Sequence, residues 1–289
     1  MIKIITDSGC DISQEEAKRF NIKVIPIITI FSNKEFLDGV DITPDEFYSR
    51  LEEKKEFAKT TQVNPGMYQQ AFEEEINQGN EVLCLTLGSK LSGCHQSAML
   101  ASNSIPSVKI SILDTNSVCV GQRNLVYAAL EDIQKGMNLS EITKDLEQKK
   151  KRLVVLASVD TLEYLVRGGR ISKTAAMIGT LFSIKPVIEL QDGLIRIIGK
   201  ARGYKNAHNL LTKTIEKQGG IDFSLPYATA YSGREHDLLD KYLSEAQNLY
   251  MGKTTEVPVY RIGAAIGTHC GPGAVAVSFF RKEESNEGK

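Results

Sequence analysis

Hydroxyl, amide and imidazole side chains cluster in three short stretches of this chain. The first stretch follows the apolar run Val82 to Leu87 and reads Gly88-Ser89-Lys90-Leu91-Ser92-Gly93. This pattern predicts a buried strand, a tight turn and a helix start, with the Ser92 hydroxyl at the helix opening. Helix openings carry unpaired N–H groups and the positive end of the helix dipole. An anion is therefore the ligand that this junction favours.

The other two stretches supply neutral donors. Thr60-Thr61-Gln62 offers two hydroxyls and an amide, a set that suits holding an oxyanion by uncharged hydrogen bonds. Gly267 to Ala274 encloses His269 and Cys270 among three glycines and a proline, which indicates a constrained backbone path open to close approach. We interpret this path as extended, so that neighbouring side chains point in opposite directions and Cys270 is a packing residue.

Each of these features also has a structural interpretation, and two other functions compete with anion binding. Ser92 is equally well read as a helix cap, the threonines as loop caps, and His269 as a structural histidine. A serine hydrolase acting on acyl esters would use Ser92, His269 and Asp7. The sequence around Ser92 lacks the first glycine of a nucleophile elbow, which disfavours that reaction.

A phosphate or nucleotide-sugar site is the third possibility, because arginines occupy glycine-containing turns. Arg167 and Arg170 flank Gly168-Gly169, and Arg202 precedes Gly203. No nucleoside-triphosphate signature accompanies them. The aspartates lack the spacing of a metal loop, so no metal site is predicted.

The composition is that of an ordinary soluble globular protein. Hydrophobic residues make up 42% and charged residues 25% of the 289 residues, and the net charge is −1. A net charge so close to zero gives no overall electrostatic attraction to nucleic acid. Five cysteines without a C-x-x-C pair favour a reducing compartment. The sequence shows neither a signal peptide nor an apolar run long enough to span a bilayer, so a cytoplasmic protein is expected.

Alternating strand and helix patterns predict an α/β fold with two domains. Residues 1–152 should form a mainly parallel sheet flanked by helices, and residues 153–289 a mixed or antiparallel sheet with the hairpin Pro186 to Ile198. Polar turns follow several strands of the first domain, where the ligand crevice of such sheets lies. We expect a loop at Lys59 to Val63. Single helices are expected at Ile171 to Phe182 and Glu235 to Leu249.

Taken together, these motifs resemble the DegV family of bacterial fatty-acid-binding proteins, the FakB subunits of fatty acid kinase. The resemblance spans nearly the whole chain. It rests on the following ordered motifs: Thr6-Asp7-Ser8 with Asp11, Thr60-Thr61-Gln62, Leu91-Ser92-Gly93 with Gln96-Ser97-Ala98, Thr161 to Leu165 with Arg167 to Arg170, Lys185-Pro186, and His269 with Gly271 to Ala274.

The resemblance implies a binding protein without catalytic residues or a cofactor. One long-chain fatty acid would lie between the two domains, and the second domain would close its acyl tunnel. The fatty-acid carboxylate would be held by Thr60 or Thr61 and by Ser92 with Gly93, close to His269.

The expected partner is a kinase subunit. It would dock at Arg170 and Arg202 and use ATP to convert the bound carboxylate into an acyl-phosphate for phospholipid synthesis. The resemblance leaves open whether the protein makes transient contact with a membrane. Two positions depart from the family pattern, since Thr61 replaces the usual serine and Cys94 the usual threonine.

Overall fold

Two sheets and a small three-stranded sheet organise the molecule. The computed structural model describes residues 1–106, 109–176 and 183–283. The first sheet is parallel, with strand order β2-β1-β6-β7. Its strands are β1 (Ile2–Asp7), β2 (Lys23–Ile25), β6 (Glu81–Thr86) and β7 (Ile110–Asp114).

Helices cover both faces of the first sheet. They are α1 (Gln14–Arg19), α3 (Pro65–Asn77), α4 (Cys94–Asn103), α5 (Val120–Gln134) and α6 (Leu139–Arg152). Strand alternation explains the two cores: Ile4 packs in the cluster that contains residues of α5 and α6, and Ile5 in the cluster of α3 and α4. The predicted parallel sheet flanked by helices is therefore confirmed.

The second large sheet is mixed, with strand order β10-β9-β8-β13-β11-β12. Its strands are β8 (Leu153–Ser158), β9 (Ile184–Gln191), β10 (Leu194–Arg202), β11 (Ala228–Tyr231), β12 (Val259–Arg261) and β13 (Val275–Phe280). The predicted hairpin is present as β9 and β10. The mixed sheet begins directly after α6, and the division into domains at residue 152 stays a prediction.

One face of the mixed sheet packs on helices, and the other borders a cavity. The helices of this part are α7 (Glu163–Arg167), α8 (Lys173–Ala176), α9 (Gly203–Lys217), α10 (Asp237–Glu245), α11 (Gln247–Tyr250) and α12 (Ala264–Cys270). Along β8, Val154 belongs to the core with α9 and α10. Its neighbours Val155 and Ala157 line the cavity.

A small antiparallel sheet projects from the first part of the chain and corrects one prediction. Its strands are β3 (Ile28–Phe31), β4 (Lys34–Leu37) and β5 (Lys59–Thr61), and α2 (Pro44–Glu52) lies between β4 and β5. The expected loop at Lys59 to Val63 is wrong over its first three residues, because Thr60 and Thr61 pair with β3. Pairing across some thirty residues of sequence leaves no local pattern for so short a strand.

Two helix predictions also change. The single helix expected at Glu235 to Leu249 is wrong, because the structure divides it into α10 and α11 around Ala246. The helix expected at Ile171 to Phe182 begins later, at Lys173, and its second half lies outside the described residues. Helix α2 begins with a capping box, in which the Thr43 hydroxyl accepts from the Glu46 amide and the Glu46 carboxylate accepts from the Thr43 amide.

The stretch around His269 is helical at its start, which corrects its interpretation as extended. Helix α12 ends at Cys270, and the backbone then turns through Gly271 with φ of 69°. Three glycines and a proline within eight residues hid this seven-residue helix from pattern reading. Neighbouring residues of a helix are about 100° apart around its axis, so His269 and Cys270 do not point in opposite directions.

Two buried carboxylates from distant parts of the chain hold the start of α12. The Asp11 carboxylate accepts a hydrogen bond from the Gly263 amide at 2.8 Å, and Asp38 accepts one from the Ala264 amide at 2.9 Å. Burial raises the pKa of Asp11 to about 7 and that of Asp38 to about 6. These bonds fix the helix that carries His269 to the first part of the chain.

We expect Asp38→Ala to lower the free energy of unfolding by about 2 kcal/mol, because it leaves a buried helix amide without its acceptor. Asp38→Asn keeps an acceptor oxygen and should retain most of the stability. Urea denaturation of the three proteins measures both effects. Wild-type stability of the Asp38→Ala variant would contradict the capping role.

Candidate functional site

A cavity, partly open to solvent, lies between the first part of the chain and the mixed sheet. Most of its wall is apolar. Representative lining residues are Ile27, Leu87, Val118, Leu156, Ile188 and Ile266, contributed by both halves of the chain. The polar residues Thr60, Thr61, Gln62, Ser92, Arg170 and His269 line it as well. A long apolar molecule with one polar end fits such a lining.

The strongest polar contact of the site joins β5 to α12. The Thr60 hydroxyl and His269 Nε2 are 2.8 Å apart, although 209 residues separate them in sequence. The other ring nitrogen, Nδ1, is buried without a hydrogen-bond partner among the described residues. A methyl group on Gly168 would meet Nδ1 at 2.1 Å, so a glycine is required beside the ring.

His269 is uncharged near neutral pH. Burial, with a smaller effect from the positive charge of Arg170, lowers the pKa of its imidazole to about 4. A neutral ring can carry its proton on Nε2 and donate it to the Thr60 oxygen. The Thr60 hydroxyl proton is then free to point into the cavity.

Gln62 fastens the threonine segment to the start of α4. Its side-chain amide donates to Ser97 Oγ at 2.9 Å. The amide oxygen lies only 1.8 Å from where a Cβ on Gly93 would be, so glycine at this position makes the contact possible. No local sequence pattern predicts this contact. It brings the two stretches that carry Thr61 and Ser92 together.

The Ser92 hydroxyl lies next to the first residue of α4. It accepts from the Cys94 amide at 3.3 Å and lies 3.1 Å from the Cys94 sulfur. The cap position itself is Gly93, which makes no side-chain cap. Ser92 thus stands at the helix opening, as predicted, and lines the cavity. Burial raises the pKa of the Cys94 thiol to about 12, so this thiol stays uncharged.

Arg170 also belongs to the cavity wall, whereas the family resemblance implies that it docks a partner. Its Nε donates to the Leu91 carbonyl at 3.1 Å, and its guanidinium also donates to the Gly168 carbonyl. Burial lowers its pKa. Arg202 is exposed at the end of β10 and does not line the cavity. Docking of a partner at these two arginines stays a prediction.

The structure does not assemble the triad that a hydrolase would need. Asp7 is fully buried, and its carboxylate accepts from the Leu87 amide at 2.8 Å, the Gly9 amide at 3.1 Å and the Tyr68 hydroxyl at 3.2 Å. Through those bonds the Asp7 carboxylate stabilises the turns that follow β1 and β6. His269 is paired with Thr60, and no bond between His269 and Ser92 or Asp7 occurs among the described residues.

Thr60, Thr61, Ser92 and His269, predicted from separate stretches, therefore line one cavity. Gly93, which follows Ser92 in the chain, is not among the lining residues. Cys270 lines the cavity too, contrary to the argument that set it apart from His269. Within the described residues, no group of three or more His, Cys, Asp or Glu side chains could hold a metal ion. No helix in that part of the chain is long and apolar enough to cross a bilayer.

Comparison with known proteins points to one family. A family model described as "Uncharacterised protein, DegV family" matches residues 1–282. A DegV domain-containing protein of Caldanaerobacter subterraneus is 33% identical over 286 residues, which cover 97% of this chain and 99% of that protein.

Solved structures extend the comparison to ligands. One similar structure is that of a fatty-acid-binding DegV family protein from Thermus thermophilus. It has a TM-score of 0.87 and 31% identity, and the match covers 97% of this chain and 99% of that one. A stearic acid-binding protein from Eubacterium ventriosum has a TM-score of 0.86 and 26% identity over 98% and 99%. The Streptococcus pneumoniae Fatty Acid Kinase B3 protein, loaded with linoleic acid, shares the fold at 22% identity and a TM-score of 0.82 over 98% and 100%.

We expect NMR titration of the His269 imidazole, assigned with a His269→Gln variant, to give a midpoint near pH 4 in the ligand-free protein. Arg170→Ala should raise this pKa, because a nearby positive charge disfavours the imidazolium. The pKa should stay below the ordinary value of about 6.5, since burial is the larger cause. Arg170→Lys keeps the charge and serves as the control. A wild-type midpoint near 6.5 would contradict the neutral, buried histidine.

Proposed function

This chain belongs to the DegV family, and on that premise we propose that it binds a long-chain fatty acid and presents the carboxylate to a fatty acid kinase. The observation that carries the proposal is the cavity itself. It combines a long apolar wall with a cluster of neutral donors that includes Thr60, Ser92 and His269. The fatty-acid-binding DegV proteins that share this fold support it.

The apolar wall supplies most of the affinity. Burial of each CH₂ group of an acyl chain is worth roughly 0.8 kcal/mol, so a long chain binds tightly with few polar contacts. Ile188, Ala157 and Ile266 are among the side chains that would enclose it. A nucleotide or sugar phosphate would leave these apolar surfaces uncovered, which argues against the third function considered from the sequence.

The polar cluster would hold the ligand carboxylate as an anion. A buried carboxylate needs hydrogen bonds to offset its desolvation, and bonds to a charged group are the stronger ones. Thr61 and Ser92 would donate their hydroxyl protons. Thr60 would do the same while its oxygen accepts from His269 Nε2. The opening of α4 at Gly93 adds helix N–H groups and a favourable dipole.

This arrangement would present the ligand and leave the chemistry to a partner. A kinase would transfer a phosphoryl group from ATP to the bound carboxylate and form an acyl-phosphate for phospholipid synthesis. The chain itself would contribute no catalytic residue and no cofactor. Arg202, exposed at the end of β10, and Arg170, on the rim of the head-group cluster, would contact the kinase. We assign this work to the cytoplasm, with the domains 1–152 and 153–289 enclosing the ligand.

We expect denaturing mass spectrometry of the purified protein to release a long-chain fatty acid at close to one equivalent. After delipidation, Ser92→Ala should bind the same acid about 10- to 100-fold more weakly, because a hydrogen bond to a charged group is worth about 1.5–3 kcal/mol. Ser102→Ala, on the exposed side of α4, is the matched control. A lipid-free protein that takes up no added fatty acid would refute the proposal.

We expect Arg202→Ala to reduce ATP-dependent phosphorylation of the bound acid by a fatty acid kinase while fatty-acid affinity stays at the wild-type level. Arg196→Ala removes another exposed arginine of β10 and should leave both properties unchanged. A coupled assay with added kinase and isothermal titration calorimetry separate the two effects. Equal phosphorylation rates for all three proteins would remove Arg202 from the docking surface.

A further inference from the structure

The cavity meets a second, polar groove at a shared wall. Val155, Glu189 and Leu190 line both the cavity and the groove. Beyond the wall, the groove is lined mainly by polar side chains, among them Thr115, Asn116, Ser117, Lys150, Asp192 and Gln218. An apolar space and a polar space are therefore separated by very few side chains.

Val155 is held rigidly in this wall. It lies on β8, and its side chain packs so closely on α5 that a Cβ on Gly121 would come within 2.3 Å of the Val155 Cγ2 atom. The side chain is nearly buried, at 9% exposure. Close packing on both the strand and the helix leaves it little room to move aside.

Leu190 forms the other half of the wall from the neighbouring strand β9. It packs against the core of the first sheet. The residue before it, Glu189, directs its carboxylate to the groove side, where it accepts from the Gln218 and Gln191 amides, each at 2.7 Å. The Glu189 carboxylate thus has its hydrogen-bond partners outside the cavity. The face of the wall that borders the cavity is apolar.

Resting on the proposed function, we infer that Val155 and Leu190 form the stop for the methyl end of the fatty acid and set the longest acyl chain that binds well. Each CH₂ group added on the cavity side of the wall is buried on binding, which lowers the Kd about fourfold. A carbon beyond the wall would enter the polar groove. There it would displace water that forms hydrogen bonds with the polar side chains of the groove. Affinity should therefore increase with chain length up to the wall and decrease after it.

The test uses delipidated protein and the saturated, unbranched fatty acids from about 12 to about 22 carbons. Isothermal titration calorimetry gives the Kd for each. Val155→Ala should move the best-bound length about one or two carbons upward and improve binding of the first acid past the wild-type optimum by about 4- to 15-fold. Leu190→Phe fills space at the same wall and should move the optimum downward.

Val277→Ala is the matched control, because Val277 is a buried valine of the same mixed sheet and lines neither the cavity nor the groove. It should keep the wild-type length profile. Thermal unfolding establishes that each variant is folded. If Val155→Ala does not fold, the direction of the Leu190→Phe shift decides the question.

The outcomes separate this inference from the function on which it rests. Binding of fatty acids with a length profile that neither wall variant moves would overturn the assignment of the stop. A wild-type protein that binds no acid of any length would overturn the proposed function itself. Opposite shifts in the two wall variants, with Val277→Ala unchanged, would establish the wall as the length limit.

Discussion

The hydrogen bond between Thr60 and His269 is the contact on which the site depends. It joins a three-residue strand near the start of the chain to a short helix near its end. Burial keeps the imidazole neutral, and the bonds that Asp11 and Asp38 accept hold the helix that carries it in place. The carboxylates, the helix and the small sheet therefore act together to orient one hydroxyl.

The contrast between the two kinds of lining explains how one cavity can be both general and selective. Neutral donors recognise a carboxylate through hydrogen bonds, which do not depend on the length of the acyl chain. The apolar wall measures the tail by the surface it can bury. In the proposed binding mode, Ser92 would contribute to the first task and Val155 to the second, and both residues line the cavity. Head-group recognition and chain-length selection can therefore change separately.

Much of the fold and part of the site could be predicted from sequence. Alternating strand and helix patterns located the parallel sheet and the hairpin of β9 and β10, because such apolar periodicity is a local signal. The strand at Lys59–Thr61 was missed, since its partner is distant in sequence, and α12 was hidden by its glycines. The glycines at 93 and 168 have reasons that only tertiary structure shows: they make room for Gln62 and His269. Which apolar residues line the cavity was equally beyond local patterns.

The proposed binding mode places one fatty acid in this cavity, with its carboxylate at Thr60, Thr61, Ser92 and His269. A crystal structure with a saturated long-chain fatty acid would show the position and direction of the ligand. We expect carboxylate oxygens within hydrogen-bond distance of the Ser92 hydroxyl and of at least one threonine hydroxyl, with the methyl end against Val155 and Leu190. A ligand bound in the reverse direction, or outside the cavity, would contradict it.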